Sequence, residues 1–230
     1  MNRQLHILHL GHQPYNYIYE AMTYFTQHRT QEDPDKLLLL RHHPVYTYGQ
    51  SLKPSSAWVN QIPTVACDRG GQATYHGPGQ LIIYPLIDLK RKQLSPHDLI
   101  NYLESSIVSW LKASHIDAQA NPKARGIYID EKKIASIGLR IKRGCSYHGI
   151  SLNLHQACLN GFGAIDTCGN PDLEVVSLDT YLPEVCEQTV KQQLCQYIIN
   201  QLSQRQPYDA IQDQTYDETT RAKQAIKNPH

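Results

Sequence analysis

Arg69-Gly70-Gly71-Gln72-Ala73-Thr74-Tyr75-His76-Gly77-Pro78-Gly79-Gln80 runs straight into Leu81-Ile82-Ile83-Tyr84-Pro85. It sets four glycines and a proline around one arginine, one tyrosine and one histidine, directly before a β-prone apolar segment. Glycine serves where the backbone takes φ > 0 or where a ligand approaches the main chain closely. A plain surface turn needs only one or two such residues. Residues 68–80 therefore read as a loop that aims N–H groups, a guanidinium and an imidazole at one bound molecule, and 81–87 as a central strand.

Working outward, residues 4–10 read as a strand and 15–28 as a helix. Asp33-Pro34-Asp35 breaks the chain before Leu37, Leu38, Leu39 and Leu40, a short apolar run of buried-strand type. Residues 45–48 and 64–67 add strands. Ser95-Pro96-His97-Asp98 is a helix start, with serine at the cap and proline at the first position. Leu99, Leu103, Ile107 and Trp110 then share one helical face. Residues 126–129, 133–141 and 145–154 read as three strands, and 183–204 as a last helix. The pattern predicts an α+β (mixed α/β) fold: one domain, a mixed sheet flanked by helices. The domain spans residues 1–206. Residues 207–230 are polar and almost without large aliphatic side chains, which predicts a frayed, flexible extension.

At 230 residues the chain is ample for one core. A net charge of +1 gives no footprint for nucleic acid or an anionic membrane. The apolar run near 81–89 is broken by Tyr84, Pro85 and Asp88 and is too short to span a bilayer. The first residues lack the apolar stretch of a secretory signal, so the expectation is a cytoplasmic protein. Its six cysteines then read as free thiols, with no C-x-x-C pair among them. His6, His9 and His12 recur at i+3, but on a strand their side chains would not converge on a metal. The glycine loop lacks the P-loop and dinucleotide spacings. No metal and no cofactor is expected.

The run R-G-G-x-x-T-Y-H-G-P-G-Q-x-x-x-Y resembles the signature of the lipoyl(octanoyl) transferases, within the wider lipoate and biotin protein ligase group. Four further matches follow the family's order: His43-Pro44-Val45-Tyr46-Thr47-Tyr48-Gly49, Lys132 to Arg140, Arg143 to Gly149, and Asp166-Thr167-Cys168-Gly169. The resemblance covers about residues 4–205 and implies the catalytic-domain fold of that group. It also implies transfer of an octanoyl group from octanoyl-acyl carrier protein to a lysine of lipoyl domains. The acceptors would be those of 2-oxoacid dehydrogenase complexes and the glycine cleavage carrier protein, and the enzyme a monomer. It departs at Thr167, where the family has proline, and at His42-His43-Pro44, where it tends to have His-Pro-Pro.

The resemblance implies Cys168 as nucleophile, since a thiolate attacks a thioester far better than a hydroxyl does. It implies Lys133 as partner. On a strand, Lys133, Ala135, Ile137 and Leu139 share one face and Lys132 points away, which would draw Lys133 inward along an apolar row. Gly70, Gly71, Thr74, His76, Gly77, Ser136, Ile137, Gly138 and Gly149 are expected to contact the acyl donor. Arg69 and Tyr75 would either orient it or brace the loop. His148 is either a site residue or a core histidine on the face of Ile150, Leu152 and Leu154. Asp35, His42 and His43 stay unassigned. Two rival readings are an ATP-dependent lipoate or biotin ligase and a non-catalytic acyl-chain or carrier-protein binding module.

Overall fold

The computed structural model describes residues 2–165, 173–216 and 219–228. In chain order the first half carries strand β1 (Gln4–Gln13), helix α1 (Tyr15–His28), strands β2 (Asp35–His42), β3 (Val45–Tyr48), β4 (Trp58–Val59), β5 (Ile62–Ala66), β6 (Ala73–His76) and β7 (Gln80–Leu86), and helices α2 (Leu89–Lys92) and α3 (Pro96–Ala113). Strands β8 (Gln119–Ala120), β9 (Gly126–Ile129), β10 (Lys132–Lys142) and β11 (Cys145–Asn153) follow, then α4 (Glu187–Leu202), β12 (Ala210–Thr215) and α5 (Thr219–Lys227).

The four consecutive leucines of β2 are explained by a sheet covered on both faces. Leu37 and Leu39 join the core under α3 and α4, with Leu99, Leu103, Ile107, Leu194 and Ile198. Leu38 and Leu40 alternate to the other face and pack with Ile18, Met22 and Phe25 of α1 and Ala222 and Ile226 of α5. A strand buried on both sides has no polar face to show. The sheet has eight strands in the order β12-β1-β2-β7-β11-β10-β9-β8. Its β12/β1 and β1/β2 pairs are parallel and the remainder antiparallel, so it is mixed as expected. A second sheet has four strands in the order β4-β5-β3-β6. The Ser95 start of α3 is a complete capping box with Asp98. Among the described residues no helix is long and apolar enough to cross a membrane.

Two expectations need correction, and one unassigned residue gains a structural place. The loop predicted over residues 68–80 contains a strand, β6, all four of whose residues are buried and which pairs antiparallel with β3. The tail is not a frayed extension. Strand β12 pairs with β1 along six residues, and α5 buries Ala222 and Ile226. Composition concealed this because β12 is an edge strand paired by backbone hydrogen bonds with every side chain exposed, while α5 fully buries just two apolar side chains, spaced i, i+4. Asp35, unassigned from sequence, is a structural anchor. Its carboxylate accepts from Arg29 (2.9 Å), Arg91 (2.5 Å), the Asp88 N–H (2.8 Å) and Tyr208 (3.2 Å), tying α1, α2 and the tail to β2.

Candidate active site

A cavity of about 270 Å³ lies between the glycine run and the β10/β11 pair, closed on one side by Tyr15 of α1 and Tyr84 of β7. Its sheet wall is made of cross-strand pairs, Ser136 opposite Ser151 and Gly138 opposite Gly149. The glycines there are required by close approach. A Cβ on Gly149 would sit 2.3 Å from the Ile83 carbonyl oxygen, and one on Gly49 2.3 Å from that of Gly71. Gly70 is held to β10 by its N–H, which donates to the Leu139 carbonyl at 3.0 Å.

Lys133 lines this cavity and is only 1% exposed. It points inward as expected, but for a different reason. Lys133 stands opposite Tyr128 on β9, whereas Ala135 stands opposite Ile127, so one extra residue is inserted between them. This β-bulge sends both Ile134 and Ala135 into the α3/α4 core. Lys133 therefore shares a face with Tyr128 and Ser136, not with Ala135 and Ile137. Its ammonium lies 5.6 Å from the Tyr128 ring centroid. Space for its stem comes from Gly126 (φ +151°), where a Cβ would fall 2.5 Å from Lys133 Cε. Lys132 points outward and pairs with Glu174 at 2.7 Å. The Lys133 backbone also anchors the chain that follows residue 172: its N–H donates to the Glu174 carbonyl (2.8 Å), and its carbonyl accepts from Val176 (3.0 Å).

Arg69 braces the loop. Its guanidinium donates to the Thr47 carbonyl (2.7 Å) and hydroxyl (3.0 Å) and to the carbonyls of Gln72 (2.8 Å) and Gly70 (3.0 Å). Tyr75 braces it too. Strand alternation turns Thr74 and His76 toward the cavity and Tyr75 the other way, into a cluster with Tyr46 and Phe162. Gly77 does not line the cavity. A Cβ there would meet the Tyr75 hydroxyl, so its role is to make room for that ring.

At the end of the cavity away from Lys133, neutral aromatic and imidazole rings adjoin one another. His42 Nδ1 donates to the Gln13 carbonyl at 2.9 Å, and its Nε2 then accepts from the Tyr84 hydroxyl at 2.9 Å. Burial pushes the His42 imidazole down to about 4. His76 is also held well below its ordinary value, by burial first and then by His42 and Arg69. His148 stands at φ +58°, outside the β region. That kink frees its ring from the side of Ile150 and Leu152, and it hydrogen-bonds Asp68 at 3.1 Å while lining the cavity. Asp68 also accepts from Tyr19 (3.1 Å) and Tyr147. Burial alone would raise its carboxyl, but the bonds from His148 and Tyr147 hold it well below the usual range.

The structure thus gathers Arg69, Gly70, Gly71, Thr74, His76, Lys133, Ser136, Ile137, Gly138, His148 and Gly149 around one cavity, and leaves Tyr75 and Gly77 behind its wall. Cys168 lies outside the described residues. Sequence reasoning missed Tyr15, Asp68, Tyr84, Gly126 and Ser151. Asp68 directly precedes the glycine run, and its neighbour Arg69 was the only signal available for it.

Residues 14–199 match the family model of the lipoyl protein ligase A/B catalytic domain. An octanoyltransferase of Vibrio campbellii is 42% identical over 207 residues, covering 90% of this chain and 94% of the relative. One from Shewanella oneidensis is 46% identical over 177 residues, covering 76% and 81%. A bipartite lipoate protein ligase of Thermoplasma acidophilum shares the fold, with a TM-score of 0.70 at 16% identity over 99% of this chain and 91% of that one. The chain belongs to the lipoyl protein ligase A/B catalytic-domain family and, within it, to the octanoyltransferases.

Proposed function

We propose that this acyltransferase takes an octanoyl group from octanoyl-acyl carrier protein, holds it as a thioester on Cys168, and delivers it to a specific lysine of lipoyl domains. The acceptors are lipoyl domains of 2-oxoacid dehydrogenase complexes and the glycine cleavage carrier protein, and the enzyme works as a cytoplasmic monomer. The observation that carries this reading is Lys133. It is a buried lysine on the wall of a cavity, with its backbone knitted to the residues that leave the Cys168 stretch.

In the first step the Cys168 sulfur attacks the donor carbonyl, and the carrier thiol departs with a proton that Lys133 supplies. This exchange of one thioester for another is nearly balanced in energy. In the second step the acceptor amine attacks, its proton passes to Lys133, and Cys168 leaves. Amide formation makes that step downhill. The donor is already activated, so no nucleotide is consumed. Burying about six methylenes at roughly 0.8 kcal/mol each contributes around 5 kcal/mol to holding the chain.

The test is incubation with octanoyl-acyl carrier protein in the absence of ATP, followed by intact mass measurement. The expected result is a covalent octanoyl adduct that Cys168→Ala abolishes. A strict requirement for ATP would instead assign a ligase, and association without an adduct a binding module.

A further inference from the structure

Beside Lys133 the polar groups of the cavity wall form one row across the sheet. Gly126 of β9 stands opposite Ser136 of β10, and Ser136 stands opposite Ser151 of β11. The Lys133 side chain lies against the Gly126 position. A Cβ there would be 3.2 Å from Lys133 Nζ and 2.5 Å from the Ala135 carbonyl oxygen, in the peptide that leads into Ser136. Across the strands the order is therefore ammonium, hydroxyl, hydroxyl. Directly opposed Cβ atoms stand about 5 Å apart, so one oxygen lying over the serine pair is within hydrogen-bond reach of both hydroxyls.

These two hydroxyls differ from those of the other serines that the fold covers. Ser106, Ser146 and Ser177 are fully buried, and each donates to an oxygen of the protein. Their acceptors are the Tyr102 carbonyl (2.6 Å), the Pro85 carbonyl (2.6 Å) and the Asp179 carboxylate (2.6 Å). Ser151 is 5% exposed, Ser136 is half-buried, and both line the cavity. Among the described residues neither of their hydroxyls has a hydrogen-bond partner. A wall that met only hydrocarbon would gain nothing from hydroxyls, which would lose water there without compensation. Two residues along the strands, about 7 Å at the usual rise, the wall turns to glycine, Gly138 opposite Gly149. An acyl group with its carbonyl over the serine row reaches the glycine row with its methylenes.

We propose that Ser136 and Ser151 are further catalytic residues, whose hydroxyls donate to the carbonyl oxygen of the acyl group as that oxygen becomes negative. The proposal rests on the reading that the acyl group reacts beside Lys133. When a nucleophile bonds to the carbonyl carbon, the π pair of the C=O bond moves onto oxygen. When the leaving group departs with its own bonding pair, the oxygen returns that pair and the double bond re-forms. The serines keep their protons throughout, and proton transfer stays with Lys133. Donors fixed on a sheet reorganise little as the charge appears, which is the source of their effect. The backbone of this wall does not supply them. The N–H groups of β10 face its two neighbouring strands, and the Gly70 N–H is spent on the Leu139 carbonyl.

Steady-state octanoyl transfer to a lipoyl domain by the full chain tests this. Removing one such donor typically lowers kcat by about 10²–10³-fold. Ser136→Ala, next to the ammonium, is expected to lose about 10²-fold in kcat and Ser151→Ala about 10-fold, with KM within about threefold of the parent. Ser136→Thr keeps the hydroxyl and should recover about tenfold of the loss. A second measurement separates chemistry from shape. S-octyl acyl carrier protein, a thioether, has no carbonyl oxygen, so it should bind the parent and both alanine variants with the same Kd. Parental kcat in both alanine variants overturns the proposal, as does a loss of thioether binding that matches the loss in kcat/KM. Should Ser136→Ala fail to fold, Ser151→Ala decides on the same criteria. Amide formation passes through a tetrahedral oxyanion whether the acyl group arrives as a thioester or as an ATP-derived anhydride. Absence of an octanoyl adduct on Cys168 therefore overturns the proposed route and leaves the serine effect in place. An adduct together with parental rates in the alanine variants does the reverse.

Discussion

Two lysines are buried on the same face of the large sheet, Lys36 near one end and Lys133 near the other, and they do unlike things. Lys36 Nζ donates to the carbonyls of Ala225 (2.8 Å), Ile226 (3.0 Å) and Asn228 (2.5 Å), so it caps the C-terminal end of α5. Lys133 lines a cavity beside an aromatic ring, in space that a glycine keeps open. Burial is nearly identical, 0% and 1% exposed. A buried lysine is thus no signature of catalysis by itself. What separates the two is their surroundings: Lys36 closes off a helix end, whereas the Lys133 side chain lines a cavity that can admit a substrate.

The hardest test of this contrast is Lys133→Ala beside Lys132→Ala. Losing a proton carrier at the reacting atoms typically costs 10²–10⁴-fold. Octanoyl transfer by Lys133→Ala should fall by about that factor, read as kcat with the circular dichroism spectrum unchanged. Lys132 is exposed and pairs with Glu174, so its alanine variant should stay within about threefold of the parent by the weakness of surface pairs. The reverse order of effects would mean that the bulge does not select the lysine.

A subtler break is Gly126→Ala, which leaves Lys133 itself unchanged and adds a methyl group against its side chain. That methyl would overlap Lys133 Cε and the Ala135 carbonyl, both 2.5 Å away, at a φ that side chains avoid. Displacing a catalytic group by about 1 Å costs on the order of 10²-fold. The expectation is a fall in kcat of about 10–100-fold with KM little changed. If transfer by Gly126→Ala equals that of the parent, the glycine has no part in positioning Lys133.

These particulars also show where the sequence stops being legible. The leucine run of β2, the Ser95 cap and the amphipathic face of α3 are local patterns that burial and hydrogen bonding enforce, and they read directly. The inward turn of Lys133 is anticipated, but through a wrong face, because an inserted residue in a bulge leaves no mark in composition or period. His148 misled for the same reason: one residue at positive φ reverses which side its ring takes, while the neighbouring alternation remains apolar. Asp68, Tyr15 and Tyr84 come together from three separate parts of the chain only through the fold, and no spacing along the chain links them. The tail failed because an edge strand whose side chains are all exposed has no apolar side of its own.

Lys36 offers the mildest perturbation, one of stability alone. Burial, with Arg29 adding to it and Asp33 opposing, brings its ammonium down from 10.5 to about 7. Between those values the unfolded chain holds a proton that the folded chain has given up, so stability from this group rises as pH rises through the window and is flat below it. The slope is at most about 1.4 kcal/mol per pH unit. Lys36→Met keeps the apolar stem and removes both the titration and the donor to α5. Its cost in urea unfolding should be smallest near pH 7 and reach about 1–3 kcal/mol by pH 9–10, where the neutral amine caps the helix without a desolvation penalty. Octanoyl transfer should stay within about twofold of the parent throughout, since no cavity atom moves. A cost that shrinks as pH rises would show that Lys36 holds α5 as a charge, and the two lysines would then differ only in what their charge serves.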